Sequence, residues 1–325
     1  MRLGLFVDMR NPPAWRRPWP AVYAGMLEHL EEADRLGVGS VWLTEHHLFE
    51  DGYLPQPLTL AAAIAARTRR MRVGTAILQA PLRPPIDIAE QASIVDLLSD
   101  GRLELGLGAG YRAPEWAAWG TDGVDRFGRL ESVAAEVRRL WVDEIVTPPP
   151  AQPRVPIWIG GEGPRGARIA GRLGEGLLAL NADLLEPYRE ALAVAGHDPD
   201  SARMSGCANL LLASDPERAW ARVKPFLDYQ WRSYERYAVE GTGRQPQPLD
   251  ADRLRTDGPP VLPRFDVVTP QAAAKRLRDW LGDLPVEHVY LWASIAGMPD
   301  DMVAEHIALL AELDALLNAR AGGDW

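Results

Sequence analysis

Cysteine and lysine are nearly absent from this 325-residue chain, and it has no long apolar run. The single Cys207 excludes an internal disulfide framework and any metal site built from clustered cysteines, and it suits a reducing compartment. Lysine occurs only at 224 and 275, so the 35 basic residues are almost all arginine, and against 45 acidic residues they leave a formal charge of −10. No Lys/Arg-rich run offers the stripe that a phosphodiester backbone needs, which sets nucleic acid aside as a partner. The apolar part of the opening MRLGLFVDMR is too short for a signal h-region, and no 18-residue apolar stretch follows. The expectation is a cytoplasmic protein without membrane association. What is present is an ordinary globular mixture, 47% hydrophobic and 25% charged, in a chain long enough to bury a large core. Twelve tryptophans are a surplus that core or pocket can absorb.

Short β-rich runs alternate with longer segments of helical period. The β runs fall at Leu3–Val7, Ser40–Thr44, Arg72–Ile77, Leu103–Leu107, Pro156–Ile159, Gly176–Leu180, about 204–212 and Val286–Trp292. Helical segments follow them at about 20–36, 57–69, 85–98, 126–141, 165–173, 184–195, 215–238 and 300–319, with one more at 270–282 ahead of the last strand. The first helix stops at Gly37, and Pro85 and Pro164 open two others. The β runs are apolar on both faces, as buried parallel strands are. Eight such units predict one (β/α)8 TIM barrel spanning 1–325; an open doubly wound sheet is the alternative, and barrel size favours closure. Residues 239–264 are polar and rich in Pro and Gly, and form an insertion between strands seven and eight that can act as a lid.

In a barrel, chemistry sits at the carboxyl ends of the strands. The residues there are Asp8, Glu45-His46-His47, Thr75-Ala76-Ile77, Gly108-Ala109-Gly110-Tyr111, Gly161-Glu162-Gly163, Asn181 and Trp292-Ala293-Ser294. His46 and His47 suit proton chemistry, because imidazole titrates near neutrality; the bland reading is a pair of structural loop histidines. Glu45, Glu50 and Asp51 lie nearby, but no HxH, HExxH or cysteine partner accompanies them, so no metal site is expected. Gly160-Gly161-Glu162-Gly163-Pro164 leads into a helix and reads either as an anion site with Arg165 and Arg168 beside it or as a tight connection. Gly108 to Ala113 matches G-x-G-x-x-A with Glu131 downstream, yet a dinucleotide fingerprint belongs after the first strand, and here it follows the fourth. A side-chain-free surface for a planar ring is the preferred reading of those glycines.

The stretch from SVWLTEHHLFEDGY through VGTAILQAPLRPP to GRLELGLGAGY, residues 40–111, together with VPIWIGGEGPRGARIAGRLGEGLLAL and VEHVYLW, resembles the bacterial luciferase-like flavin-dependent monooxygenases. The resemblance covers most of the chain apart from 239–264. It implies that His46 is catalytic, assisting formation or breakdown of a flavin C4a-peroxide. It also implies that Ala76 and Ile77 flank a non-prolyl cis peptide against the flavin, and that Gly108 and Ala109 face the ring. Gly161, Glu162, Gly163 and Gly166 match the phosphate and ribityl turn, and Asn181 a ring-lining position. Ala109 stands where the luciferases place an arginine. Tyr111, Trp116, Trp119, Trp292 and the MRNPPAWRRPW segment are candidates for the substrate wall.

The implied activity is a two-component monooxygenase: reduced FMN from a separate flavin reductase, with O2, oxygenates a small organic substrate. The same family contains deazaflavin-dependent hydride-transfer enzymes, and GEGP followed by Arg165 resembles those, so a deazaflavin coenzyme is the alternative. A non-catalytic flavin carrier and a metal-dependent barrel hydrolase are further readings. Family members commonly form homodimers through the second and third barrel helices, here carrying Leu58, Leu60, Ala61–Ala63, Ile64, Ile86, Ile88 and Val95.

Overall fold

Side chains along β1 (Arg2–Val7) alternate, with Leu3, Leu5 and Val7 in the large outer core and Phe6 in a second, inner cluster. β1 lies between β2 (Ser40–Leu43) and β11 (Val286–Trp292), all parallel. From β2 the sheet continues through β3 (Arg72–Thr75), β5 (Leu103–Gly108), β6 (Ile157–Gly160), β7 (Gly176–Leu178) and β8 (Met204–Cys207), which pairs with β11 and closes the ring. This computed structural model, which describes residues 1–248, 250–256 and 264–318, is thus the expected closed eight-stranded parallel barrel. The helices around it are α1 (Trp19–Leu36), α2 (Pro57–Arg67), α3 (Pro85–Ser99), α4 (Ala113–Ala118), α5 (Arg126–Val142), α6 (Pro164–Leu173), α7 (Leu185–Val194), α8 (Pro216–Val239), α9 (Pro270–Leu281) and α10 (Asp300–Asn318). Gly37 ends α1 in a left-handed conformation, its N–H reaching the Ala33 and Asp34 carbonyls. Among the described residues no helix is long and apolar enough to cross a membrane.

Four details differ from the sequence reading. The third barrel strand ends at Thr75; beyond a cis Ala76–Ile77 peptide the chain resumes as β4 (Leu78–Gln79), which pairs with β5. The run 204–212 is two strands, because after β8 the segment β9 (Leu210–Leu212) leaves the barrel to pair with β10 (Asp266–Val268). Residues 113–118, which the sequence reading assigned to no helix between the strand Leu103–Leu107 and the helix at about 126–141, are α4. The insertion is partly ordered into a 3-10 turn at Ala251–Arg255 that buries Ala251 and Leu254; its residues 249 and 257–263 lie outside the described residues. Of the side chains expected at a subunit contact, Leu58, Leu60, Ala61, Ile64, Ile88 and Val95 are consumed by the barrel's own core, while Ile86 is exposed together with Ile94, Leu97 and Leu98 of α3.

Two of the surplus tryptophans fill the barrel. Trp42 of β2 and Trp158 of β6 meet edge to face with centroids 6.1 Å apart, and Tyr290 of β11 stacks on Trp42 at 5.2 Å. Neighbouring glycines make the room: a Cβ on Gly74 would come within 2.6 Å of the Trp42 ring, and one on Gly176 within 2.3 Å of Trp158. Below them Glu104 of β5 is buried, accepting from Trp158 Nε1 at 2.7 Å and from Arg72 Nε, with the His288 ring 3.6 Å away. Burial alone would raise its pKa; His288 and Arg72 outweigh it and hold the carboxyl below the usual range.

At the β3/β5 seam the Thr75 hydroxyl donates to the Gly106 carbonyl at 2.7 Å and accepts the Gly106 N–H at 2.9 Å. A Cβ on Gly106 would fall 1.9 Å from the Thr75 carbonyl oxygen. Gly106→Ala is therefore expected to lower stability by about 3 kcal/mol in urea denaturation. Gly25→Ala, in α1 where the added methyl meets nothing within 4 Å, should raise it by about 0.5–1 kcal/mol.

Candidate active site

The loop after β2 is laced to the exit of β1. Thr44 N and Oγ1 both donate to the Val7 carbonyl, His46 N donates to Leu54 O, and Leu54 N to Asp8 O. This positions Glu45, His46 and His47 at the barrel mouth. Glu45 points away from solvent and accepts from His47 Nε2 at 2.8 Å, Arg83 Nη2 at 2.5 Å and the Gln79 N–H at 2.5 Å, so it ties the loop to the turn after β4.

His46 is enclosed by Phe49, Tyr53 and Tyr111, with ring centroids 5.0, 4.8 and 5.2 Å away. Its Nδ1 lies 2.9 Å from Glu115 Oε1 and its Nε2 3.3 Å from the Tyr111 hydroxyl. Glu115 sits on α4, and its carboxylate takes three further bonds: from the His47 N–H at 2.9 Å, Arg112 Nη1 at 2.8 Å and Gln79 Nε2 at 2.9 Å. Burial would raise the Glu115 pKa, but the His46 ring, the His47 N–H and Arg112 outweigh it and bring it down to about 2. For His46 desolvation wins over the Glu115 charge, and its pKa is lowered. The consistent state is an anionic Glu115 accepting from the Nδ1–H of a neutral His46, which leaves Nε2 as a lone-pair acceptor facing Tyr111.

Two arginines frame this pair, and both are buried. Arg112 donates to the His47 carbonyl at 2.7 Å, to Glu115, to the Tyr237 carbonyl at 3.3 Å and to Glu240, and lies over the Phe49 and Tyr237 rings. Arg10 bridges Asp8 and Asp51, donates to Ser233 Oγ of α8 at 2.8 Å, and stacks on Tyr53 and Tyr234. Burial raises Asp8 to about 6 despite Arg10 beside it.

The glycine turn lies across the mouth. Gly163 is the N-cap of α6, no side chain caps that helix, and a Cβ there would meet nothing within 4 Å. Gly161 and Gly166 approach so closely that a Cβ on either would be 2.8 Å from the other's Cα, while Glu162 is exposed. Arg165 and Arg126 both lie over the Phe127 ring, at 4.7 and 4.9 Å. The bare surface expected at Gly108 is taken up by Ile77, whose side chain would meet a Cβ on Gly108 at 2.6 Å and one on Gly160 at 2.4 Å. Ala109 is buried and Ala76 half-buried. Asn181 is exposed, its oxygen accepting from the Asp183 N–H. Of the aromatic candidates, Tyr111 and Trp119 are exposed beside His46 and His47, with Trp119 4.1 Å from the His47 ring. Trp116 is buried under Arg126, and Trp292 is buried, donating to Asn209 Oδ1 at 3.0 Å. Glu131 binds Arg172 on the surface, so the dinucleotide-like spacing has no partner role at the mouth. Glu115, Gln79 and Arg83 were given no role from the sequence, while Arg112 figured only within the Gly108 to Ala113 pattern and Arg10 only within the MRNPPAWRRPW segment; the available signal was Arg112, the N-cap of α4, three residues ahead of Glu115.

A family model described as luciferase-like monooxygenase matches residues 1–288. An F420-dependent glucose-6-phosphate dehydrogenase of Amycolatopsis mediterranei (strain U-32) is 30% identical over 315 residues, covering 90% of this chain and 86% of that protein. The oxygenase component of a flavin-dependent trigonelline monooxygenase of Acinetobacter baylyi is 28% identical over 186 residues, 52% of this chain and 51% of that protein. Among solved structures, monooxygenase RslO1 from Streptomyces bottropensis aligns with a TM-score of 0.77 at 26% identity, covering 96% of this chain and 98% of that one.

Glu115→Gln keeps the shape and removes the charge, leaving Arg112 buried with less compensation. The expected loss is about 3 kcal/mol at pH 7 by urea denaturation. Because the folded pKa is depressed, the contribution of Glu115 is complete above its ordinary 4.5 and is lost as pH falls toward about 2. The gap between wild type and variant should narrow across that interval.

Proposed function

The chain belongs to the luciferase-like monooxygenase family, and from that premise we propose that it binds reduced FMN, supplied by a separate flavin reductase, and uses O2 to oxygenate a small, apolar organic substrate. The observation that carries this reading is the neutral His46 ring, anchored at Nδ1 by Glu115, with Nε2 free to take and return one proton beside Tyr111. The glycine turn fits the cofactor's phosphate: α6 begins uncapped, the space at Gly163 is open, and Arg126 Nε is buried without a hydrogen-bond partner among the described residues. Gly161, Glu162, Gly163 and Gly166 would hold the phosphate and ribityl chain, and Ala76, Ala109, Asn181 and Ile77, whose side chain covers Gly108, the ring. When bound, the reduced flavin supplies the electrons that activate O2.

The chain's own residues have three tasks. Phe49, Tyr53 and Tyr111 keep water from the His46 ring, Glu115 fixes its orientation and tautomer, and Nε2 handles the proton. The substrate lies against Tyr111 and Trp119, beside the exposed Leu48. Arg10 and Arg112, the cations whose charge reaches His46, are buried and paired with carboxylates, which suits an uncharged substrate better than a phosphorylated one. We also place a homodimer contact on the exposed Ile86, Ile94, Leu97 and Leu98 of α3, and the protein in the cytoplasm.

A second reading, hydride transfer with F420 as the deazaflavin coenzyme, is favoured by the 30% identity over 90% of the chain. Anaerobic fluorescence titration separates the two. The proposal expects reduced FMN to bind at least about tenfold more tightly than F420, a difference of about 1.4 kcal/mol, and tight binding of F420 alone overturns it. His46→Gln should lower the oxygenation rate by about 10²–10⁴ with FMN affinity retained. The acid limb of the wild-type rate should lie below the ordinary imidazole range, because the His46 pKa is lowered and the base stays unprotonated further into acid. A wild type that binds reduced FMN but oxygenates none of a panel of apolar ketones, aldehydes and aromatics would make it a carrier.

A further inference from the structure

The far end of α8 is connected to the His46 ring through two buried charged groups. Glu240, the first residue past α8 and half exposed, pairs with Arg112 Nη2. The Arg112 side chain is fully buried, and Nη1 of the same guanidinium donates to Glu115 Oε1, the oxygen that also receives His46 Nδ1. The guanidinium is planar and rigid, so a shift at one nitrogen displaces the others. We propose that Glu240 is a positioning residue: acting through Arg112 and Glu115, it sets the protonation and orientation of His46, so that the seating of the inserted segment governs proton chemistry at the mouth. The proposal rests on the reading of His46 as the proton-handling group.

The physical argument is one of shared charge. Arg112 is compensated by two carboxylates, one buried and one at the surface. With Glu240 neutral, Arg112 turns its whole charge on Glu115, which weakens the carboxylate as an acceptor for His46 Nδ1 and raises the positive potential at the ring. Both effects disfavour imidazolium. The other groups facing His46 stay in place: Tyr111 from the turn after β5, Phe49 and Tyr53 from its own loop, Arg10 with Asp8 and Asp51 from the β1 side, and Tyr234 of α8, whose hydroxyl meets that of Tyr53 at 2.8 Å. The following residue also lies beside α4, where a Cβ added to Gly241 would meet Ala113 Cβ at 3.7 Å.

The test is a histidine-labelled NMR titration of the full chain. There are six histidines, and His46 is assigned by its loss in His46→Gln. Glu240→Gln is expected to lower the His46 titration midpoint by about half a pH unit or more, and Glu240→Asp to restore it in part. Asp252→Asn, which removes a charge from the same insertion where it pairs with Lys224 instead, should leave the midpoint unchanged. The acid limb of turnover with reduced FMN should move with the Glu240→Gln midpoint. Coincident His46 curves for wild type and Glu240→Gln would overturn the proposal, as would an equal shift in Asp252→Asn. A shifted midpoint with an unmoved acid limb would uphold the connection and overturn the proton role of His46.

Discussion

A carboxylate shut away from water survives as an anion only when donors replace its hydration shell, and Glu115 has four of them. They come from three parts of the mouth: the His46 ring and the His47 backbone of the loop after β2, the Gln79 amide at the end of β4, and the Arg112 guanidinium ahead of α4. One group therefore fixes the relative placement of the turns after β2, β4 and β5. Glu45 repeats the device one residue before His46, joining that loop to Arg83 and to the Gln79 N–H. The cost of an unpaired buried charge makes these contacts mutually dependent, as the proposed proton-handling role of His46 requires.

Below the mouth the barrel is filled by complementarity of size. Trp42 and Trp158 cross the lumen where Gly74 and Gly176 leave space, and Glu104 with Arg72 and His288 closes the bottom. Ile77 continues the pattern at the top, lying over Gly108 and Gly160. The lumen is thus a packed core, and the reacting molecules have access only from the carboxyl ends of the strands.

Much of this was legible in the chain. The alternation of apolar β runs with helical segments marks a barrel because buried parallel strands must be apolar on both sides. Gly37 marks a helix end because glycine takes the left-handed closing conformation without a steric penalty, and Pro85 and Pro164 mark helix starts because a missing N–H and a fixed φ suit the first helical position. The EHH and GGEGP segments stood out because strand ends are where a barrel places chemistry, and the resemblance gave His46 a role. The strand 204–212 was misread because β9 pairs with β10, whose partner residues lie 56 positions along the chain, a separation that periodicity does not register.

The sequence by itself determined the fold, the order of the barrel strands and the family, since these follow from local periodicity, chain length and contiguous motifs. Only the tertiary structure decided which His46 nitrogen carries the proton, that Glu115 and Arg112 complete the site, and that Trp42, Trp158 and Trp292 belong to the barrel while Tyr111 and Trp119 face the mouth. The reason is that a pKa, a tautomer or the worth of a buried charge depends on neighbours 65 to 125 residues apart in the chain, and no local pattern records which of them meet.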